Sequence, residues 1–278
     1  MTIATDLLTE FVARYPAQPA TAWFRAIEID ELAQAMADVR GLGLDLGCGD
    51  GILTDILFAR IGTIPDLVGI DPDPLETEAA RKYPFYRRLH TCGGDAIPEA
   101  DGTFDYIISN SVLEHIPDLE PVIAEAARLL RPGGQFFFTV PCPGFHENLA
   151  GSLSGRDRAG YLAEMDRRLA HFHYLSATDW QEMCARNGLT LDDARGYINR
   201  GQMRRWETLS RLTGGLLYKL SGGRSRPIEI QRRLKLRSLQ NHAALPRPIA
   251  AGIAHTIMLG VDEEPAGVPS CLLVTGHR

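Results

Sequence analysis

Between residues 42 and 140 the chain alternates short apolar runs with helical stripes, and this alternation restricts its fold more than any other feature. LGLDL (42–46), DLVGID (66–71), FDYIISN (104–110) and QFFFTVP (135–141) read as strands. ILTDILFARIG (52–62) keeps apolar residues at 52, 53, 56 and 57, a helical stripe, and Pro74 opens another helix running toward Tyr83. A third helix is predicted over 118–134, capped by Asp118, with Pro121 in its first turn and Gly133 as its stop. Strands that alternate with helices in this way form a parallel sheet covered on both faces. Farther on, SATDWQEMCARNGL (176–189) is a capped helix, residues near 190–198 a strand, and SCLLVTGH (270–277) a last strand. The first 40 residues carry a helical pattern, and residues 199–262 read as helices interrupted by glycine pairs at 214–215 and 222–223. That second segment is too long for a connection and reads as a helical insertion over the active-site edge of the sheet.

Length and composition close off other classes. With 278 residues and 45% apolar content the chain can bury a large core. Its longest apolar run, Ile249 to Val261, is interrupted by His255 and is too short to cross a bilayer. MTIATDLLTEFVARYP carries acids early and lacks the basic flank of a signal peptide, so a cytoplasmic location is expected. Cysteines 48, 92, 142, 184 and 271 are scattered and without CxxC spacing, which argues against a disulfide framework or a zinc site. Charge is unevenly distributed. Residues 200–237 hold 11 Lys and Arg against two acids, Glu207 and Glu229, on a chain whose net charge is −6. A basic segment on an acidic body suits a phosphate, a carboxylated substrate or a membrane face, or it pairs with the body's own acids. The acidic total argues against nucleic acid as a partner.

The chemistry starts at GLDLGCGDG (43–51). A strand ends beside Asp45, and Gly47-Cys48-Gly49-Asp50-Gly51 leads into a helix, so backbone passes close to a ligand there. The dinucleotide fingerprint would place a third glycine at position 52, where this chain has Ile52. An acid at 45 sits poorly beside a pyrophosphate and well beside an ammonium group.

DLGCGDG resembles the first motif of the class I S-adenosylmethionine-dependent methyltransferases, and further landmarks follow in order: GIDPDP, GGDAIPEADGTFDYI, SVLEHI and LLRPGGQFFFTVP. The resemblance covers residues 41–141 well and 171–189 in part. It implies a doubly wound α/β fold with a mostly parallel seven-stranded sheet, 270–277 being the antiparallel strand. S-adenosylmethionine is the implied cofactor and S-adenosylhomocysteine the product. Asp45, Gly47, Cys48 and Gly49 would form the glycine loop around it. Asp71 would accept the ribose hydroxyls, which suits its two acceptor oxygens. Pro72 would lie against the adenine, Asp95 would take the adenine amino group with the Ala96 backbone beside it, and the Asn110 carbonyl would meet the ammonium. Arg25, one helical turn before Glu28, would pair with the cofactor carboxylate, or the two form an exposed ion pair. Glu114 and His115 resemble part of a metal set in ubiquinone-type O-methyltransferases, but Ser111 stands where that set has a further Glu, so no metal is expected.

Methyl transfer requires an aligned acceptor and, for a hydroxyl, a base, for which histidine is the usual side chain. His115, His146, His171 and His173 are the candidates, with His146 (after the strand expected at 135–141) and His173 (in HFHYLS) foremost. The expected reaction is methylation of a small-molecule or glycan-type acceptor, at oxygen. The basic segment, with Trp206, Leu216, Leu217, Tyr218 and Leu220, would grip an anionic or lipid-linked acceptor, with peripheral membrane contact as its corollary. A nicotinamide-dependent oxidoreductase and a non-catalytic S-adenosylmethionine-binding protein stand as alternatives; Ile52 and Asp45 speak against the first.

Overall fold

The computed structural model describes residues 4–152, 157–213, 215, 245–260 and 267–278. Seven strands form one sheet: β1 (Leu42–Leu46), β2 (Asp66–Asp71), β3 (Tyr86–Thr91), β4 (Phe104–Asn110), β5 (Leu130–Pro141), β6 (Thr190–Tyr197) and β7 (Cys271–His277). Their order is β3-β2-β1-β4-β5-β7-β6, parallel throughout except that β7 runs antiparallel to both neighbours. The sequence thus folds into the doubly wound α/β sheet that the motif order implied. The strand order reverses at β1/β4, the place where open sheets of this kind bind ligands beyond their carboxyl ends.

Among the described residues the α-helices are α1 (Thr5–Arg14), α2 (Pro19–Ala35), α3 (Ile52–Ile61), α4 (Pro74–Ala80), α5 (Glu120–Leu129), α6 (Gly144–Asn148), α7 (Arg158–Leu169), α8 (Ala177–Arg186), α9 (Arg200–Leu212) and α10 (Arg247–Met258). Among the described residues, no helix is long and apolar enough to cross a membrane.

Two expected details need correction. The helix predicted over 118–134 runs only from Glu120 to Leu129, and Asp118 does not cap it. At its other end Leu130 is already extended and pairs with Phe104 of β4, so β5 starts well before Gly133. Pro132 disfavours helical backbone at Arg131, and the Arg131 guanidinium is held by Asp105 at 2.5 Å. Strand pairing and the proline therefore override the local helical stripe. Strand β3 carries no apolar alternation (Tyr86-Arg87-Arg88-Leu89-His90-Thr91), because it is the sheet's edge, and only its first residue is buried.

The chain divides into two compact units. The sheet unit comprises Ile29–Pro143, Phe172–Tyr197 and Cys271–Arg278; the helical unit comprises Met1–Glu28, Gly144–His171 and Ile198–Ser270. In the sheet unit Leu44, Val68, Ile107, Phe136 and Phe138 form the central layer of the core, and Trp180 and Cys184 of α8 pack into the same cluster. In the helical unit Trp23 is fully buried and donates from Nε1 to the Gln202 carbonyl at 3.0 Å, and the Phe24 and Trp206 rings meet edge to face. Of the expected helical insertion, α9, Trp206 and α10 are in place; Leu216, Leu217, Tyr218, Leu220, the second glycine pair and the cations from Lys219 to Arg237 lie outside the described residues.

Candidate functional site

The glycine loop is pinned to the end of the neighbouring strand. The amides of Gly47 and Cys48 both donate to the Ile70 carbonyl, at 2.9 and 2.8 Å. The chain then turns through positive φ at Gly47, Gly49 and Gly51. At Gly47 a Cβ would lie 2.4 Å from the Val112 side chain, so that position needs glycine for packing as well as for backbone angle. Gly49 differs: the nearest atom to a Cβ there is Glu76 Oε2, 4.0 Å away. The loop thus has open space over Gly49, a cradle that a side chain would begin to fill.

Carboxylates surround this cradle. Asp71, at the end of β2, accepts the Gly49 amide on Oδ2 at 3.0 Å and the Asp73 amide on Oδ1 at 2.9 Å. Burial pushes the Cys48 thiol far up, and the charges of Asp45, Asp71 and Glu76 push in the same direction. That thiol stays protonated and contributes backbone, not nucleophilicity. Three acids gathered at a glycine loop repel a pyrophosphate and suit a cationic ligand bearing sulfonium and ammonium groups. The residues present therefore fit S-adenosylmethionine.

Asp45 is almost wholly buried, 3% exposed, and its Oδ2 accepts from Thr54 Oγ1 and from the Tyr86 hydroxyl, each at 2.5 Å. Burial raises its carboxyl to about 6, against the two hydroxyl donors, which lower it. The carboxylate is turned to these two side chains and ties β1 to α3 and β3. Neither Thr54 nor Tyr86 was legible as its partner, since they lie 9 and 41 residues away.

At the end of β4 Asn110 is half-buried, and Ser111 adopts φ 48°, a left-handed conformation uncommon outside glycine. Its amide donates to both the carbonyl and the hydroxyl of Thr139, each at 3.0 Å, which holds the turn. Backbone strain of this kind concentrates at functional loops. Pro72, Asp95 and Ala96 are exposed at the carboxyl ends of β2 and β3.

The two foremost histidines fall in different units. His173, in the sheet unit, has Nε2 2.8 Å from the Ile116 carbonyl and 3.2 Å from that of Pro117. Both partners are acceptors, so Nε2 carries the proton. His146, on α6 of the helical unit, has Nε2 2.8 Å from Asp166 Oδ1 on α7, and the Phe145 ring lies edge-on to it. A carboxylate on Nε2 orients the ring and favours the tautomer with the proton on that nitrogen. Asp166 was not singled out from sequence; nothing periodic links it to a residue 20 positions earlier. Arg25 is bonded to Glu28, a fully buried carboxylate, and its guanidinium lies over the Phe24 ring, so the pair is partly buried, not exposed.

Sheet order, acidic glycine loop and strand-end carboxylate together define an open α/β fold whose ligand end, beyond the strands' carboxyl termini, suits a cationic small molecule. A family model described as a methyltransferase domain matches residues 21–194, more than half of the chain, and the chain belongs to that family, the class I S-adenosylmethionine-dependent methyltransferases. The ubiquinone biosynthesis O-methyltransferase of Xanthomonas oryzae pv. oryzae is 31% identical over 163 residues, 56% of this chain and 65% of that protein, so the match spans slightly under two thirds of that relative. A protein of the same name from Methylococcus capsulatus is 35% identical over 133 residues, 46% of this chain and 53% of its own length. Among solved structures, geranyl diphosphate C-methyltransferase from Streptomyces coelicolor, in complex with Mg2+, geranyl diphosphate and S-adenosylhomocysteine, superposes with a TM-score of 0.53 at 14% identity, covering 89% of this chain and 76% of that one. The last likeness is one of fold.

Proposed function

We propose that this protein transfers the methyl group of S-adenosylmethionine to a hydroxyl oxygen of a small-molecule acceptor. The cofactor supplies a methyl group on a sulfonium, which leaves with the bonding pair on sulfur as a neutral thioether. The chain binds, orients and moves one proton. Asp71 would accept the ribose hydroxyls, Asp95 the adenine amino group, and the Asn110 carbonyl the ammonium; the glycines at 47 and 49 would let backbone reach the ligand, and Pro72 and Ala96 would flank the base. A hydroxyl acceptor gives up its proton as the oxygen–methyl bond forms, and His146, oriented by Asp166, is the first candidate base. His173 is the second candidate base.

The observation that carries the hydroxyl assignment is the His146–Asp166 pair, a base oriented by a carboxylate at 2.8 Å. Relatives named for O-methylation support it. The basic composition of residues 200–237 favours an acceptor with an anionic group, with glycan and lipid-linked acceptors in the same class.

The test combines binding and turnover. S-adenosylhomocysteine should raise the melting temperature and NAD+ should not; at ~100 times its dissociation constant a ligand adds about 2.7 kcal/mol. His146→Ala should keep that shift while turnover of hydroxylated aromatic and sugar acceptors falls about 10²–10⁴-fold. Full turnover in both His146→Ala and His173→Ala would remove the base assignment. Unchanged S-adenosylhomocysteine affinity in Asp71→Ala would remove the pocket assignment.

A further inference from the structure

We infer that Glu125 and Arg128, an ion pair on α5, are positioning residues that set how well the protein recognises the adenine of its cofactor. The inference rests on the reading that Asp95 and Ala96 receive that base. Asp95 and Ala96 are exposed, whereas Ile97, the next residue, is only 3% exposed. Ile97 is held at both of its backbone groups. Its amide donates to Glu125 Oε1 at 2.7 Å, and its carbonyl accepts from Arg128 Nη2 at 3.1 Å. The two side chains also grip each other, with Arg128 Nε and Nη2 each 2.7 Å from a Glu125 oxygen. The remaining guanidinium nitrogen, Nη1, donates to the Glu99 carbonyl at 2.9 Å and to Asp101 Oδ1 at 2.5 Å.

One helical pair therefore takes up backbone of Ile97 and Glu99 and the side chain of Asp101. On the other flank of Asp95, a Cβ at Gly94 would lie 3.1 Å from Val122, so α5 also packs there. Asp95 is suspended between two points of contact with the same rigid helix. Such a clamp bears the ordering cost of the loop before ligand arrives, and a group already ordered is recognised with less loss on binding. Neither side chain has a place in the methyl transfer itself, so the effect belongs to binding and not to the chemical step.

Discrimination between S-adenosylhomocysteine and S-inosylhomocysteine, which replaces the adenine amino group by a carbonyl, reads the position of Asp95 directly. The unsubstituted protein should bind the adenine compound more tightly. In Glu125→Ala the dissociation constant for S-adenosylhomocysteine should rise on the order of 10-fold, and the preference over the inosine compound should shrink by a similar factor. The kcat at saturating S-adenosylmethionine should stay within about twofold. Glu125→Gln keeps an acceptor for the Ile97 amide and should recover part of the preference; Arg128→Lys, which keeps the charge and loses the fork, should lose it. Should Glu125→Ala fail to fold, the Gln and Lys variants carry the same comparison. A preference unchanged in these variants but abolished in Asp95→Ala overturns the clamp and leaves the adenine reading intact. A preference unchanged in Asp95→Ala as well overturns the adenine reading on which the clamp rests.

Discussion

The sheet unit and the helical unit each bury a carboxylate, and they stabilise it by different means. In the sheet unit Asp45 lies under the glycine loop and receives two hydroxyls, with Asp71 as a charged neighbour of the same sign. In the helical unit Glu207, 1% exposed on α9, accepts the amides of Ala150 and Gly151 at 2.7 and 3.3 Å, the Tyr161 hydroxyl, and the Arg211 guanidinium at 2.6 Å. Asp45 is thus left uneasy as an anion, while Glu207 is matched by a cation and two backbone donors. Asp45 ties β1 to α3 and β3 beneath the glycine loop; Glu207 joins three segments of chain. Each is a buried polar network that depends on every member keeping its partner.

The largest effect expected from this difference is in the helical unit. Glu207→Ala leaves a half-buried guanidinium, a tyrosine hydroxyl and two amides without their acceptor, and breaking a buried pair from one side costs about 3–5 kcal/mol. Urea denaturation should show a loss of that size, with S-adenosylhomocysteine affinity of the remaining folded protein unchanged. A loss under ~1 kcal/mol would mean that Glu207 is not what joins α9 to α7 and the 149–151 segment.

The next effect is in the sheet unit and depends on pH. The Asp45 carboxyl is raised to about 6 from an ordinary 3.8, so the folded chain binds a proton more tightly than the unfolded one. The stability this group contributes is complete below about pH 4 and is lost as pH rises through about 6. A shift of this size corresponds to roughly 3 kcal/mol. Asp45→Asn should remove that component, so the variant's stability should decline less than that of the parent between pH 4 and pH 6. Parallel pH profiles for parent and variant would show that Asp45 is not strained as an anion.

The same contrast governs what could be read from the chain. That Asp71 and Asn110 end strands was legible, because apolar runs of regular length announce β2 and β4, whereas the roles expected of them come from the family resemblance. Tyr86 was not, because β3 is an edge strand with no apolar alternation to announce it. Nor was the end of α5: Leu130 leaves a helical stripe to pair with β4, an interaction with a residue 26 positions earlier that no local pattern reports. In the helical unit the site-like pairs, His146 with Asp166 and Glu207 with Tyr161, join different helices through side chains alone, and side chains carry no register.

The smallest effect sharpens the comparison most, because one motif occurs in both units. Ser176 and Asp179 form a reciprocal capping box at the start of α8 in the sheet unit, with Asp179 N–H to Ser176 Oγ at 3.2 Å and Ser176 N–H to Asp179 Oδ2 at 2.8 Å. Asn199 and Gln202 form its counterpart at the start of α9 in the helical unit, both bonds at 2.9 Å. Removing either cap residue should cost about 1 kcal/mol. The boxes differ in charge. The Ser176 hydroxyl and then the Ser176 amide lower the Asp179 carboxyl, so this box contributes above the usual aspartate range and is lost as pH falls through the lowered value. Gln202 does not titrate. Ser176→Ala should therefore cost less in acid than at neutral pH, and Asn199→Ala should cost the same at both. Equal pH dependence in the two variants would mean that Asp179 is not the partner of Ser176, and that the two helix starts are held by a common means unrelated to charge.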